Sequence, residues 1–409
     1  LVDATAVQES YTEAIRWLYS TQASGVKLGL ENIRLLLEAL GNPHQQLTCI
    51  HIAGTNGKGS VSAMLDSVAR AAGLRTGLYT SPHLVRFNER IQVSGQQITD
   101  DEVLAGLHLV REAIARSGCT PTFFEITTAL GFLHFSTKRV DLAIMETGLG
   151  GRLDATNLIT PLVSVLTSID LDHQKILGDS RAKIAREKAG IIKPGVPVVS
   201  IAQTADVREV IDEVATSLTS PVTYIAEPIA DLQIGLAGSH QRLNAAVVRA
   251  ALAVAKLGIS PDALKTGLKS VFWPGRFQAL GDRVTIDGAH NLAATERLVQ
   301  TWRECCPGAS PTIVFGGLRD KELDKMLSVL APIAARFFLV PVNNPRGETP
   351  ASIRLPGGIS GVVFPKVQEA VEAAYKLAEP ILVTGSLFLV GEVLSWMQPQ
   401  LGQFQTSSQ

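Results

Sequence analysis

The sequence predicts a two-domain α/β protein whose parallel sheets are covered by helices on both faces. Three observations lead there. From about Leu47 onward, short β-branched or apolar runs alternate with segments of helical period. The 409 residues exceed a single core, at about 100 to 200 residues per domain. The alternation breaks at WPGRFQALGD (Trp273 to Asp282) and then restarts, which puts a boundary near residue 278 and divides the chain into 1–278 and a smaller 279–409.

In the first part, strands are expected at Thr48 to Ala53, Thr76 to Thr80, Asp141 to Glu146, Leu162 to Thr167 and Val196 to Ile201. A helix over Val61 to Ala72 follows from Val61, Met64, Leu65, Val68, Ala69 and Ala72 on one face, with Gly73 as its stop. Another is expected from Gln241 to Leu257, capped by Ser239, ended by Gly258, and facing inward through Leu243, Val247, Ala250, Val254 and Leu257. In the second part the strands fall at Val284 to Ile286, Thr312 to Phe315, Phe337 to Val340, Val362 to Phe364 and Ile381 to Thr384. The polar tail Gln403 to Gln409 reads as frayed.

Composition narrows the function. Hydrophobic residues at 46% and charged residues at 18% can bury a full core, so extended disorder is excluded outside the termini. Lys+Arg at 37 against Asp+Glu at 38, without a block of like charge, builds no field for nucleic acid or anionic lipid and points to a small-molecule substrate. Cys49, Cys119, Cys305 and Cys306 lack metal-ligand spacing and read as free thiols of a reducing compartment. Leu1 is not an initiator methionine, so the native start is expected to differ, and the acids that follow it do not resemble a signal peptide. The apolar run near Ile381 to Val390 is broken by Gly385 and Ser386 and is too short for a bilayer, so a soluble, cytoplasmic protein is expected.

The strongest local signal is AGTNGKGS, Ala53 to Ser60, between a predicted strand and a predicted helix. Glycines let backbone N–H groups turn toward phosphate, the helix N-terminus adds partial positive charge, and Lys58 adds a full one. The pattern departs from the standard phosphate loop: Ile52 stands at the first glycine position and Gly59 follows the lysine, with the hydroxyl of Ser60 one place later.

A second signal is the collection of polar residues beyond strand C-termini, where ligands gather in open α/β sheets. Ser81 follows one strand, Glu146 ends the apolar DLAIME, and Asp170, Asp172 and His173 follow a third. A hydroxyl and a carboxylate beside a phosphate loop suit a hard cation such as Mg²⁺. Individually, Ser81 before Pro82 serves either a turn or a ligand role, Asp170 and Asp172 read as caps of the next helix, and His173 alone reads as structural. Glu146, at the rim of a core, calls for a partner. Their shared position at strand ends is what suggests a metal site.

Through HIAGTNGKGS, TSPHLVRFNERI, PTFFE, METGLGGRLDATN, DHQKILGD, IAREKAGIIKPG, GSHQRLNAA, WPGRF, DGAHN and VTGSLFLVGEV, in that order, the chain resembles the folylpolyglutamate synthase and dihydrofolate synthase family of the Mur ligase superfamily. The resemblance implies a P-loop NTPase-like first domain with a parallel sheet and a smaller Rossmann-like second domain. It implies an ATP-dependent acid–amino-acid ligase that adds L-glutamate to a folate or to dihydropteroate, acting as a monomer. Gly54, Thr55, Asn56, Gly57, Lys58, Gly59 and Ser60 would hold the ATP phosphates, with Asn244, Arg276 and Asp287 also contacting ATP. Ser81 and Glu146 would bind one Mg²⁺, and His173 a second with Glu146, joined by a carbamylated Lys188. Lys58, His173 and Lys188 would form the catalytic set. Phe123, Phe124, Glu125, Gly151, Arg152, Leu153 and Asp154 match the pterin site, and His290 and Ser386 the place of the incoming glutamate. The sequence departs from the usual family pattern at Asp170, Gln174 and Leu292, beside these positions, and Asn343 to Pro356 carries no assignment. A Mur ligase acting on a cell-wall precursor is the neighbouring alternative; such enzymes typically carry threonine where this chain has Gly59.

Overall fold

The computed structural model describes residues 9–24, 29–357, 359 and 361–405; the expectations for Leu1 and its following segment up to residue 8, and for the tail from 406 to 409, lie outside the described residues.

Two sheets organise the chain. The first holds β1 (Cys49–Ala53), β2 (Thr76–Tyr79), β3 (Ile91–Val93), β4 (Gln96–Gln97), β5 (Leu142–Glu146), β6 (Val163–Leu166), β7 (Val198–Ile201) and β8 (Val222–Ile225), in the order β4-β3-β2-β5-β1-β6-β7-β8. Strands β2, β5, β1, β6, β7 and β8 run parallel, while β3 and β4 form an antiparallel edge. The sheet is therefore mixed rather than wholly parallel. The second holds β9 (Gln278–Leu280), β10 (Val284–Ile286), β11 (Thr312–Phe315), β12 (Arg336–Leu339), β13 (Gly361–Val363) and β14 (Ile381–Thr384), in the order β13-β12-β11-β14-β10-β9, with β9 alone antiparallel.

All ten expected strands form, with ends shifted by a residue or two. Four were not foreseen. β3 is only three residues long, β4 is two glutamines, β8 is only half-buried, and β9 lies inside the segment read as a break, so none shows a long apolar run. Every residue of β1 is buried because both faces are covered. Ile50 and Ile52 point toward helices Lys58–Ala71 and Ser239–Val254, while Cys49 packs with helices Asp100–Ser117 and Phe123–Lys138 on the other face.

The helix expected from Val61 begins at Lys58, capped by Gly57 at φ 93°, because its first turn is polar and lies outside the apolar periodicity. Ser239 is not a cap. Gly238 holds that position, and Ser239 instead receives Gln300 on its hydroxyl and gives its backbone N–H to Glu304. This helix closes at Val254, with Lys256 in the left-handed region, before Gly258 is reached. Its buried face runs through Asn244, Val247, Val248, Ala251 and Leu252, leaving Leu243, Ala250, Val254 and Leu257 half-buried. Small residues let this face sit close to the sheet, which hydropathy alone does not register.

Of the tail, residues 403–405 are described, and they are packed rather than frayed. Phe404 packs on the second domain's core and Gln405 is hydrogen-bonded to Val85 and Phe87 of the first. No helix among the described residues is long and apolar enough to cross a membrane.

Candidate active site

The phosphate-type loop leaves β1 at Ala53 and is fastened before the helix begins. Thr55 and Asn56 donate their backbone N–H groups to Ser168 O at 2.7 and 3.2 Å, and the Thr55 hydroxyl is engaged with the Asp170 backbone. Gly54 has no alternative residue: a Cβ there would lie 1.8 Å from Thr167 Oγ1. Lys58 Nζ folds back to Gly54 O and Thr55 O at 3.1 and 3.3 Å. Lys188 Nζ reaches the same Gly54 oxygen at 2.7 Å. The unmodified side chain is therefore buried beneath the loop, not displayed on a helix surface. Burial, then the charge of Lys58, lowers its pKa to about 7.

Glu146 ends β5 beside this loop. Burial raises its pKa to about 7 against the opposing charge of Lys58. Its hydrogen-bond support is slight: Ser81 N donates to Oε2 at 3.4 Å. The neighbouring Thr147 hydroxyl is buried and has no hydrogen-bond partner among the described residues. Such groups are normally satisfied, so a buried carboxylate and an orphan hydroxyl side by side mark a place built for a polar guest.

One cavity collects Gly54, Thr55, Asn56, Gly57, Lys58, Gly59, Ser60, Ser81, Glu146, His173 and Lys188 from the first part of the chain, with Arg276 and His290 from beyond Trp273. Ser60 Oγ accepts from Gln241, whose side chain in turn accepts from Asn244; the amide of Asn244 stands behind Gly57 rather than in the cavity wall. Asp287 is also set back, its carboxylate accepting from Phe277 N and Ala289 N at 2.9 Å.

A second, larger cleft of about 470 Å³ opens from the first past Ser81, Pro82 and Gly148. Its apolar wall includes Phe123, Phe124 and Leu153, and its far side carries His290, Lys321, Arg346 and Ser386. Other expected pterin-site residues do structural jobs. Glu125 closes a capping box with Thr122. Asp154 accepts from Gly148 N, Leu149 N and Thr156 and braces the loop, although both carboxylates still border the cleft. Gly151 packs against the carbonyls of Glu187 and Lys188, and Arg152 pairs with Glu187 at 2.9 Å; neither borders the cleft.

Asp170 and Asp172 do not cap the next helix, whose N-cap is His173 at φ 49°. Asp170 pairs with Arg181 at 2.8 Å. Asp172 crosses to the second sheet's loops, where it accepts from Lys321 Nζ and from Asn291 Nδ2 at 3.1 Å. Asn291 and Asn56 exchange side-chain amide hydrogen bonds at 3.2 and 3.0 Å, tying the phosphate-type loop to the same junction. Desolvation raises the Asp172 pKa, but His173, His290 and Lys321 outweigh it and hold the carboxylate well below its usual range. Burial lowers both His173 and His290 to about 4, so both are neutral near pH 7. His290 Nδ1–H donates to Gly288 O at 2.8 Å, which leaves Nε2 as an acceptor.

Sequence reading missed Asp172's partners, Thr147, Lys321 and Arg346. Lys321 had an available signal, since it follows β11 at the ligand-bearing end of the sheet. Among the described residues no three His, Cys, Asp or Glu side chains converge as a metal cluster, so a cation here would need hydroxyl, phosphate or carbamate oxygens.

Comparison with known proteins places this geometry. Residues 52–224 match the Mur ligase middle domain and residues 275–387 the Mur ligase, glutamate ligase domain. The chain is 34% identical to the dihydrofolate synthase/folylpolyglutamate synthase of Bacillus subtilis, over 94% of this chain and 98% of that protein. It is 35% identical to the folylpolyglutamate synthase of Lacticaseibacillus casei, again over 94% and 98%. The solved structure of Escherichia coli FolC in complex with DHPP and ADP superposes with a TM-score of 0.87 at 30% identity, covering 96% of this chain and 99% of that one.

Proposed function

The chain belongs to the folylpolyglutamate synthase/dihydrofolate synthase family of Mur ligases, and from that premise we propose that it joins L-glutamate to a folate, and to dihydropteroate, through an acyl phosphate formed with ATP. It is an ATP-dependent acid–amino-acid ligase. The observation that carries the reading is that Lys58, which opens the helix after β1, and Glu146, which ends β5, face one cavity whose wall is completed by Arg276 and His290.

In this reading residues 1–278 bind ATP and the pterin substrate, and residues 279–409 present glutamate. The loop from Gly54 to Ser60 holds the triphosphate by its backbone N–H groups and Lys58, with Asn244, Arg276 and Asp287 shaping the nucleotide's surroundings. The apolar wall at Phe123, Phe124 and Leu153 takes the pterin end. The substrate carboxylate lies toward Lys58, whose ammonium offsets charge on the transferring phosphoryl oxygens. His290 and Ser386 orient the glutamate amine toward the acyl carbon. Closing the two halves excludes water, which would otherwise hydrolyse the acyl phosphate.

The residues also fit Mg²⁺. Ser81, Glu146 and His173 supply a hydroxyl, a carboxylate and a neutral imidazole, and the orphan Thr147 hydroxyl lies beside them. When bound, two such ions would neutralise phosphate charge during transfer. Lys188, with its lowered pKa, is suited to carbamylation, which would add an anionic oxygen donor to the same wall. Both halves of the cleft come from one chain, which supports a monomer, and its substrates suit the cytoplasm.

The deciding experiment incubates the protein with MgATP and labelled glutamate plus dihydropteroate, tetrahydrofolate or a nucleotide-linked muramyl acceptor. Label is expected in the pterin products. Label in the muramyl product alone, or ATP turnover independent of glutamate, would sink the proposal.

A further inference from the structure

The loop that carries Ser81 is built into the other domain. Leu84 and Val85 are buried in the core formed by Val390, Val393 and Leu394 of the helix Leu387–Met397. The approach is so close that a Cβ on Gly391 would stand 2.0 Å from Leu84 O. On its inner side the loop closes around Glu89, whose carboxylate accepts from the backbone N–H groups of Leu84, Val85 and Arg86 at 2.7 to 2.8 Å.

Its outer side is held by one residue of the C-terminal segment. Gln405 N donates to Val85 O at 2.8 Å, Phe87 N donates to Gln405 Oε1 at 2.9 Å, and His83 Nε2 lies 3.0 Å from Gln405 O. The direction of the last bond is fixed. Arg90 Nε donates to His83 Nδ1 at 2.8 Å, so the proton of this neutral, buried imidazole sits on Nε2 and points at Gln405. The segment is anchored at its other end, where Phe404 packs on the second domain's core and Ser395 Oγ donates to Gly402 O at 2.8 Å.

We propose that Gln405 is a positioning residue for the cation site: through it, residues 402–405 strap the His83 to Phe87 turn to the second domain and thereby set where Ser81 stands beside Glu146. The two bonds made by its backbone atoms would survive substitution. The bond from Phe87 N to the side-chain oxygen, and the side chain's contact with the Tyr11 hydroxyl, depend on residue identity. Phe87 is fully buried, so losing that acceptor leaves its N–H unsatisfied and loosens the turn.

The inference rests on Ser81 as a cation ligand, and the test separates the two ideas. Ser81→Ala, Gln405→Met, Gln405→Glu and a chain ending at Phe404 are compared in two measurements: amide hydrogen exchange across residues 82–90, and the Mg²⁺ concentration giving half-maximal ligase activity. Gln405→Met should exchange faster across 82–90 and need more Mg²⁺, each by about tenfold, as loss of one buried hydrogen bond implies, and the truncated chain, which also loses the two backbone bonds, should do so by more. Gln405→Glu keeps the acceptor for Phe87 N and should restore both toward the parent values, while the KM for glutamate stays near the parent's in the Gln405 variants. If Ser81→Ala leaves the Mg²⁺ requirement unchanged, the ligand assignment fails. If Ser81→Ala raises it but Gln405→Met alters neither exchange nor Mg²⁺ requirement, the strap itself is refuted.

Discussion

Asp172 and Lys321 form a buried ion pair across the two domains, their side chains only 9% and 8% exposed. A buried pair contributes little net stability when formed, but removing one partner strands the other charge, at a cost of about 3–5 kcal/mol. Asp172→Ala should therefore destabilise strongly, whereas the double variant Asp172→Ala/Lys321→Met should lose much less than the sum of the single losses. Urea unfolding of the four proteins gives the coupling, expected above ~1 kcal/mol. Losses that simply add would mean that Lys321 finds another partner.

That pair also shows where sequence reading stops. Lys58, Glu146 and Lys188 were legible because each sits at a strand end or in a motif whose chemistry is local: a glycine-rich turn, a carboxylate closing an apolar run, a family motif. The long apolar strands were legible for the same reason. Asp172 was read as a cap because capping is the local use of an aspartate before a helix, while its actual partners lie far along the chain at Asn291 and Lys321. Gln405 looked like part of a frayed polar tail, since nothing near it in sequence reveals that Val85 and Phe87 await it. Close backbone packing was equally invisible, because a glycine in a helix gives no hydropathy signal.

Gly267 is such a glycine. It lies in the helix Pro261–Ser270, where its carbonyl accepts from Ser67 Oγ, and a Cβ there would fall 2.4 Å from Val68 Cα. Alanine would gain about 1 kcal/mol in helix propensity. The obstacle is backbone and cannot rotate away, so overpacking, worth about 1–3 kcal/mol or more, should win. Gly267→Ala is expected to lower the melting temperature and, by shifting the helix that begins at Lys58, to raise the KM for ATP. An unchanged melting temperature would show that the helices separate freely.

Lys188 should be modified when the enzyme is active. With its pKa lowered to about 7 by burial and by Lys58, much of the side chain is neutral at pH 8, and only the neutral amine reacts with CO₂ to give a carbamate and a released proton. Protein equilibrated with ¹³C-bicarbonate should show a carbamate carbon resonance that is missing from Lys188→Gln. The variant's kcat should fall by about 10²-fold or more, the scale of losing one fixed group that supports transition-state charge. Loss of activity without any such resonance in the parent would assign Lys188 a role as an unmodified amine.

Buried His51 should set part of the acid limit of stability. Its Nε2 lies 2.8 Å from Thr156 Oγ1, and the Thr156 hydroxyl gives its own hydrogen to Asp154 Oδ1 at 2.5 Å. Nε2 must therefore carry the imidazole proton, and Nδ1 is left buried and without a hydrogen-bond partner among the described residues. Adding a proton there would create an unsolvated cation, so burial, followed by the charge of Lys193, lowers the folded pKa from 6.5 to about 3. Between those values the unfolded chain binds the extra proton, so the stabilisation is complete above pH 6.5 and is lost as pH falls toward 3. One proton corresponds to a slope of about 1.4 kcal/mol per pH unit. His51→Gln keeps a donor for Thr156 but does not titrate, so its stability measured by urea unfolding should fall less steeply by about that amount near pH 4.5. His83 and His290 are lowered in the same way and keep the variant's curve sloping; parallel curves for parent and variant would mean that His51 takes up its proton in the folded state.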